Sequence, residues 1–287
     1  MNIALFGGSF DPPHIGHDEI VNLALKNLDI DKLVIMPTYL NPFKESFFLE
    51  PSSRLNLCKK LWGCLDKVEI SDYEISQTRP VATVESVEYL YSKFDIDKFY
   101  LIIGADNLKD LDKWSKFNQL KNLVSFVVAT RNNINIPKHL QKLNLNVNIS
   151  STIFRESLSL ELIPAQIKDE IKTILREKFM EKKLEVIRGV LETKKAEEIE
   201  IIDVQNDSYI AKFVVIATAL TGKHGLSLTD DLEEALKPLN ENFLGVEASD
   251  EWSVIDLGDV VIHLMSEECR AKYNIEELLE KLNQMKK

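Results

Sequence analysis

Two imidazoles and three glycines fall within eleven residues of this 287-residue chain, in Gly7-Gly8-Ser9-Phe10-Asp11-Pro12-Pro13-His14-Ile15-Gly16-His17. An apolar, β-prone run (Ile3 to Phe6) precedes the segment and an amphipathic one (Glu19 to Leu28) follows it. A strand leading directly into a helix leaves free N–H groups and a positive dipole end where an anion can sit. Gly7 and Gly8 let a phosphate approach the backbone closely, because no side chain stands in its way. His14 and His17 are three apart, so at a helix start both rings can face one way and donate to phosphate oxygens. Gly16 would leave room beside them for a base or ribose. Singly, each residue has an ordinary reading as a turn glycine, a helix-start proline or a surface or capping histidine. Gathered at one strand-to-helix junction, they point to a phosphate site.

The segment resembles the GxFDPxHxGH signature of the HxGH nucleotidyltransferase superfamily, and most of all that of bacterial nicotinate-nucleotide adenylyltransferases. Related phosphopantetheine adenylyltransferases usually carry Thr at the position of His14. The likeness extends over about residues 1–180. Ile149-Ser150-Ser151-Thr152-Ile153-Phe154-Arg155 is similar to the family's ISxTxIR element, with Phe154 in place of an aliphatic residue, and Gly104-Ala105-Asp106-Asn107-Leu108 to its GxDxL. Lys44 in Asn41-Pro42-Phe43-Lys44 matches the basic residue of a PPHK-like loop in which Phe43 replaces the His.

The resemblance implies in-line attack by the 5′-phosphate of nicotinate mononucleotide on the α-phosphorus of ATP, with pyrophosphate leaving. No covalent protein intermediate is needed, so catalysis would consist of positioning and charge stabilisation. It further implies that His14 and His17 hold the reacting phosphates while Lys44 and Arg155 neutralise the pyrophosphate. Gly7, Gly8, Ser9, Phe10, Gly16, Ser150 and Thr152 would bind ATP, the last two through hydroxyls and helix N–H groups. Mg²⁺ would bridge phosphates rather than occupy a protein cage, with no protein metal ligands expected. Thr83, Asp106, Trp114 and Arg131 are the expected acceptor-binding residues. Asp106 reads equally as the cap of the next helix, and Trp114 either as a flat face for a pyridine ring or as ordinary packing. Recognition of the nicotinate carboxylate is expected near Arg79 to Thr83 and Trp114. The loop from Asn132 to Lys138 lacks the Pro-Gly that is common there. Nicotinamide mononucleotide or a phosphopantetheine precursor stand as alternative acceptors.

Further apolar strand-like runs lie at Leu33 to Met36, Phe99 to Ile103, Phe126 to Ala129 and Val147 to Ile149, with amphipathic stretches at Arg54 to Leu65 and Thr83 to Phe94. Continuous apolar strands alternating with helices predict a parallel sheet covered on both faces, a Rossmann-like α/β domain. Leu162 to Phe179 reads as a helix with Pro164 in its first turn, and Lys/Glu-rich sequence continues to Glu198 with only Gly189 interrupting. The order then changes to strand (Ile199 to Val204), strand (Phe213 to Ala217), helix (Leu226 to Leu236), strand (Ser253 to Leu257), strand (Val260 to Leu264) and helix (Ile275 to Met285). Gly258 and Asp259 form the tight turn of the last strand pair. A smaller mixed-sheet α/β domain follows the first, giving domains 1–181 and 182–287.

Composition bounds the rest. At 45% hydrophobic residues the chain can bury a sizeable core. It has no apolar run of the roughly 20 residues needed to span a bilayer and no basic, apolar leader, so a cytoplasmic address and no membrane partner are expected. Cys58, Cys64 and Cys269 form no CxxC pair and read as small packing residues of a reducing compartment. Residues 182–287 carry 13 Lys+Arg against 22 Asp+Glu, a net −9 out of the chain's −11. Such a surface disfavours nucleic acid and suits a basic protein, unless it is simply a solubilising face.

No catalytic constellation appears after residue 181. His263, inside a strand, reads as a hydrogen-bonded structural residue and not as a ligand. Leu191 to Ile199, Phe213 to Thr218, Gly245-Val246-Glu247 and above all the WxxxDLGDVVxH run from Trp252 to His263 resemble the ribosomal silencing factor (Iojap) family over about residues 184–280. Lys212 and Ala219 replace a usual Asp and Gly at the expected partner-facing edge. The resemblance implies binding to a large-subunit ribosomal protein at the intersubunit face, blocking subunit joining. A dimerisation or stability module is the alternative.

Overall fold

A computed structural model describes residues 1–41, 45–130, 134–147, 149–204 and 209–284. The chain divides into two compact units, Met1–Lys172 and Thr173–Lys287.

The first unit contains β1 (Asn2–Gly8), α1 (Ile15–Asn27), β2 (Lys32–Pro37), α2 (Pro51–Trp62), β3 (Val68–Ile70), α3 (Tyr73–Ser76), α4 (Thr83–Lys93), β4 (Lys98–Gly104), α5 (Phe117–Leu123), β5 (Ser125–Ala129), β6 (Gln141–Leu143) and α6 (Ser151–Ser157). A 3₁₀ segment, Ala105–Lys113, follows β4. The six strands form one sheet in the order β3-β2-β1-β4-β5-β6, and every neighbouring pair is parallel. The inner strands read as unbroken apolar runs because helices cover both faces: Ile3, Leu5, Val34, Leu101 and Val128 pack into one buried cluster with Val84, Val87 and Leu90 of α4. The chain reverses direction across the sheet between β1 and β4, and in such folds ligands bind outside the carboxyl ends of the strands at that switch point. Gly7 and Gly8 end β1 there, and Gly104 ends β4.

Val147 and Ile149, at the ends of an expected strand, are not in a strand; Asn148 lies outside the described residues. The edge position belongs to β6, and the backbone N–H groups of Asn146 and Val147 donate to the Glu19 carboxylate at 2.8 and 3.1 Å instead of to a neighbouring strand. The helix expected from Leu162 begins later. Two short 3₁₀ turns, Leu160–Leu162 and Ala165–Ile167, come first, and α7 (Lys168–Thr193) then continues through Gly189 without a break. Pro164 caps the second 3₁₀ turn instead of lying within the helix.

The second unit adds β7 (Glu197–Asp203), β8 (Phe213–Thr218), α8 (Gly222–Leu236), β9 (Gly245–Ala248), β10 (Trp252–Asp256), β11 (Val260–Met265), α9 (Glu267–Tyr273) and α10 (Ile275–Gln284). Its sheet runs β7-β8-β11-β10-β9, with β8 and β11 parallel and the other pairs antiparallel, which is the mixed sheet expected. Gly258 takes φ +84° in the β10–β11 turn, a conformation glycine adopts without a Cβ penalty. One sheet face packs against α7 and α8 through Ile187, Leu191, Leu228 and Leu232. The opposite face packs against α9 and α10 through Cys269, Ile275 and Leu279. Cys58 and Cys269 are buried as expected, but Cys64 is exposed, because α2 stops at Trp62 and the chain turns outward through Gly63. No helix among the described residues is long and apolar enough to cross a membrane.

Candidate functional site

His14 is the N-cap of α1, with φ −141° and ψ 171°, and its carbonyl accepts the N–H groups of His17 and Asp18 at 2.9 and 3.2 Å. The imidazoles of His14 and His17 stack with centroids 3.7 Å apart and planes 24° apart, so the three-residue spacing does bring them together. The His14 backbone N–H donates to Nδ1 of His17 at 3.2 Å, which places the proton of a neutral His17 ring on Nε2. His14 is 2% exposed, and His17 is the more accessible of the pair.

Gly16 has a different role from the one its size suggested. A Cβ there would lie 3.2 Å from the His14 ring and 3.6 Å from the Ile149 carbonyl oxygen, so the room is taken by the stacked histidine and by the chain entering α6. Phe10 is likewise buried: its ring meets Phe6, His17 and Trp62 at 5.3, 4.9 and 5.7 Å between centroids. Only its backbone can face a ligand, while its side chain supports His17. At Gly8 a Cβ would sit 3.3 Å from the Phe10 ring, so this glycine makes space for the aromatic cluster.

The distant α6 segment converges on the same loop. The Arg155 guanidinium donates through Nη1 to the Asp11 carbonyl at 2.8 Å and through Nη2 to Thr152 Oγ1 at 3.1 Å. Ser151 Oγ donates to the Pro12 carbonyl at 3.3 Å. Ser150 is the N-cap of α6, and its Oγ accepts the Ile153 N–H at 3.1 Å, a bond that leaves the hydroxyl proton for another acceptor. Imidazoles, a guanidinium, hydroxyls and helix N–H groups thus stand along one edge of the sheet.

Two residues that sequence reasoning passed over hold this edge in place. Arg54, 1% exposed in α2, donates to four backbone carbonyls: Ser9, Thr38 and Tyr39 at 2.7 Å each and Leu49 at 3.0 Å. Burial lowers its pKa from the ordinary arginine value, and the Asp11 carboxylate works against that shift. Asp11, 3% exposed, accepts the N–H groups of Phe48 and Leu49 at 2.8 and 2.7 Å. The loops after β1 and β2 are therefore laced together by charge-assisted bonds to backbone. Asp11 lay within the recognised motif, but nothing in the sequence marked Arg54.

On the acceptor side, Thr83 is the first residue of α4. Asp106 lies in the first turn after Gly104, where a Cβ would come within 2.3 Å of the Asp106 carboxylate, so a side chain at 104 would push that carboxylate aside. The cap position itself is Gly104, not Asp106. Trp114 closes the 3₁₀ segment, its backbone N–H donating to the Leu111 carbonyl at 3.2 Å, and is half-buried against the core. Arg79 pairs with Glu85 at 2.7 Å, so its charge is already engaged. Lys44 and Arg131 lie outside the described residues. A concavity of about 510 Å³, lined by Lys98, Tyr100, Ser125 and Gln141 among others, lies at the opposite end of the sheet and gathers none of the expected site residues.

The cleft's donors suit phosphate oxygens and not a hard cation, and among the described residues no group of three or more His, Cys, Asp or Glu is gathered to hold a metal.

In the second unit His263 is 8% exposed, and its Nδ1 accepts the indole N–H of Trp252 at 3.1 Å. Burial lowers its pKa to about 4, keeping it neutral as a structural residue. Lys183, 1% exposed, bridges Glu241 and Asp259 at 2.8 and 2.7 Å and so ties α7 to the β10–β11 turn. Lys212 donates its backbone N–H to the Asp259 carbonyl at 2.9 Å, and Ala219 is buried. Leu244, 73% exposed, lies against the same turn, 3.2 Å from where a Gly258 Cβ would be.

Comparison with known proteins matches residues 5–157 to the cytidylyltransferase-like family and residues 177–287 to the ribosomal silencing factor during starvation. The chain is 55% identical over 172 residues to a probable nicotinate-nucleotide adenylyltransferase of Campylobacter jejuni (strain RM1221), covering 60% of this chain and 95% of that relative. It is 55% identical over 178 residues to the Campylobacter fetus protein of the same description, covering 62% and 98%. Among solved structures, the Plasmodium falciparum nicotinic acid mononucleotide adenylyltransferase complexed with NaAD aligns at 22% identity and a TM-score of 0.48, covering 60% of this chain and 89% of that one.

Proposed function

Since the chain belongs to the cytidylyltransferase-like family, alongside nicotinate-nucleotide adenylyltransferases, and continues into a ribosomal silencing factor domain, we propose that residues 1–181 transfer the adenylyl group of ATP to nicotinate mononucleotide. The products are nicotinate adenine dinucleotide and pyrophosphate. The observation that carries this reading is the stacked His14–His17 pair facing a loop to which Arg155 and Ser151 are hydrogen-bonded from more than 130 residues away.

In this reading ATP lies along the carboxyl edge of β1 and β4. His17 donates from Nε2 to the α-phosphate as charge develops on it, and His14 holds the neighbouring phosphate oxygens. The α6 N-terminus, with Ser150 and Thr152, takes the β- and γ-phosphates, and Arg155 neutralises the departing pyrophosphate together with Lys44. Gly7, Gly8 and the Ser9 and Phe10 backbone line the approach. The acceptor lies between Thr83, Asp106 and Trp114, with Arg131 as a further contact. Each of these groups acts by holding reactants in line.

The test is a panel of acceptors, each at saturating ATP and Mg²⁺. Nicotinate mononucleotide is expected to exceed nicotinamide mononucleotide and phosphopantetheine in kcat/KM by at least about tenfold, a difference of about 1.4 kcal/mol. Preference for either rival would overturn the acceptor assignment and leave the adenylyl transfer standing.

For residues 182–287 the reading is binding to a basic protein of the large ribosomal subunit, with block of subunit joining, supported by the domain match and by the net −9 of this stretch. The full chain is expected to co-sediment with isolated large subunits and to lower the yield of joined ribosomes. Sedimentation apart from them would leave dimerisation or stabilisation as this domain's role.

A further inference from the structure

We propose that Glu19, outside every recognised motif, is a positioning residue for nucleoside triphosphate binding. It lies two residues beyond His17 on α1, and its carboxylate is bidentate to backbone. Oε1 accepts from the Asn146 N–H at 2.8 Å and Oε2 from the Val147 N–H at 3.1 Å, across 127 and 128 residues of sequence. Three further contacts extend this seam. The Ile149 carbonyl closes on Gly16, Ser151 bonds the Pro12 carbonyl, and Arg155 bonds that of Asp11. Asn146, Val147 and residues 149–155 are thus laid along the start of α1, and Glu19 is the charged clamp at their upstream end.

β6 ends at Leu143, and Leu145 donates to Thr130 Oγ1 at 2.7 Å, so Asn146 and Val147 lie beyond the strand pairing on the way to Ser150 and Thr152. What a strand ladder would supply, two N–H bonds and a set direction, comes instead from one side chain. The Glu19 carboxylate therefore sets where the α6 N–H groups stand relative to His14 and His17, although it has no place among the phosphate-binding groups. This inference rests on the reading that the α6 N-terminus receives the β- and γ-phosphates.

The sign of the effect separates positioning from a simple field effect. Removing a negative charge near an anion site strengthens anion binding if the charge acts only through space. If Glu19 acts by holding the 146–152 backbone, its neutralisation weakens binding despite the charge gained. Glu19→Gln keeps one acceptor and loses a charge-assisted bond. It is expected to raise the Kd of Mg-ATP, measured calorimetrically on the full chain, by about tenfold. The KM for nicotinate mononucleotide should stay within about twofold, a split that general loss of stability would not produce. Hydrogen exchange should show lost protection at Asn146 and Val147 in Glu19→Gln, and Glu19→Asp should recover part of the ATP affinity.

An unchanged or lower Kd in Glu19→Gln would overturn the proposal. Wild-type chain that binds Mg-ATP but fails to turn over nicotinate mononucleotide would sink the acceptor assignment alone. Wild-type chain that does not bind Mg-ATP would sink both.

Discussion

Arg54 commits its whole guanidinium to backbone, reaching four carbonyls of two loops from a buried position. Arg54→Met removes the donors and leaves the Leu49 carbonyl buried and those of Ser9, Thr38 and Tyr39 partly buried, each orphan shut off from water costing about 1–3 kcal/mol. A loss of at least about 3 kcal/mol of first-unit stability is expected in denaturant melts, and Arg54→Lys should fall between, since an ammonium cannot reproduce the planar fork. A melt indistinguishable from wild type would show that the lacing contributes nothing. The legibility of the site follows from the same distinction. His14, His17, Ser150, Thr152 and Arg155, which the fold brings together, could be singled out in the sequence because their side-chain chemistry suits a phosphate. Arg54 and Glu19 could not, because their partners are backbone atoms, identical in every residue. What Gly16 and the Phe10 side chain do in addition, shaping the room occupied by the histidine rings, was not legible, because it depends on packing no spacing rule records.

At the scale of elements, the four inner strands β2, β1, β4 and β5 were legible because burial on both faces leaves an unbroken apolar run. The short edges β3 and β6, three residues each, carry no such mark, and Val147 to Ile149 looked more like a strand than Gln141–Leu143 does. What decides between them is the Glu19 carboxylate, a tertiary contact. Helix α7 offers a direct check on local propensity. Gly189 is exposed within it, and a Cβ there would meet no heavy atom within 4 Å. Glycine costs about 0.8–1.0 kcal/mol relative to alanine inside a helix, so Gly189→Ala should stabilise the second unit by about that amount in its thermal transition. A lower transition temperature would mean that the position serves something other than the helix.

At the scale of the molecule, the two units carry buried titratable groups that respond oppositely to pH. Glu74, 5% exposed, is pushed up to about 7 by burial, with the Ser86 hydroxyl opposing and Glu85 adding. Its ordinary value is 4.5, so the folded first unit binds the extra proton between those values. That contribution to stability is full below pH 4.5 and is lost as pH rises through 7. His263 is lowered from 6.5 to about 4 by burial, with Glu276 opposing, so its contribution is full above pH 6.5 and is lost as pH falls through 4. Each shift corresponds to at most about 3 kcal/mol. Relative to wild type, Glu74→Gln should flatten the first unit's stability between pH 4.5 and 7, and His263→Gln the second unit's between pH 4 and 6.5. Calorimetric scans across those windows would read both, and equal slopes in variant and wild type would contradict the assignments. The charge asymmetry of the sequence follows the same division, with most of the net −11 in residues 182–287.

The account depends most on the stacked histidines meeting the α6 segment around one triphosphate. The kcat of His17→Ala with saturating ATP, Mg²⁺ and nicotinate mononucleotide tests this most directly, because the substitution removes one donor at the reacting phosphate and leaves a folded chain. The expected result is a loss of about 10²–10³-fold, as for removal of a single donor from a transition-state site, in a chain that still unfolds in a cooperative transition. A kcat within a few-fold of wild type would contradict the account.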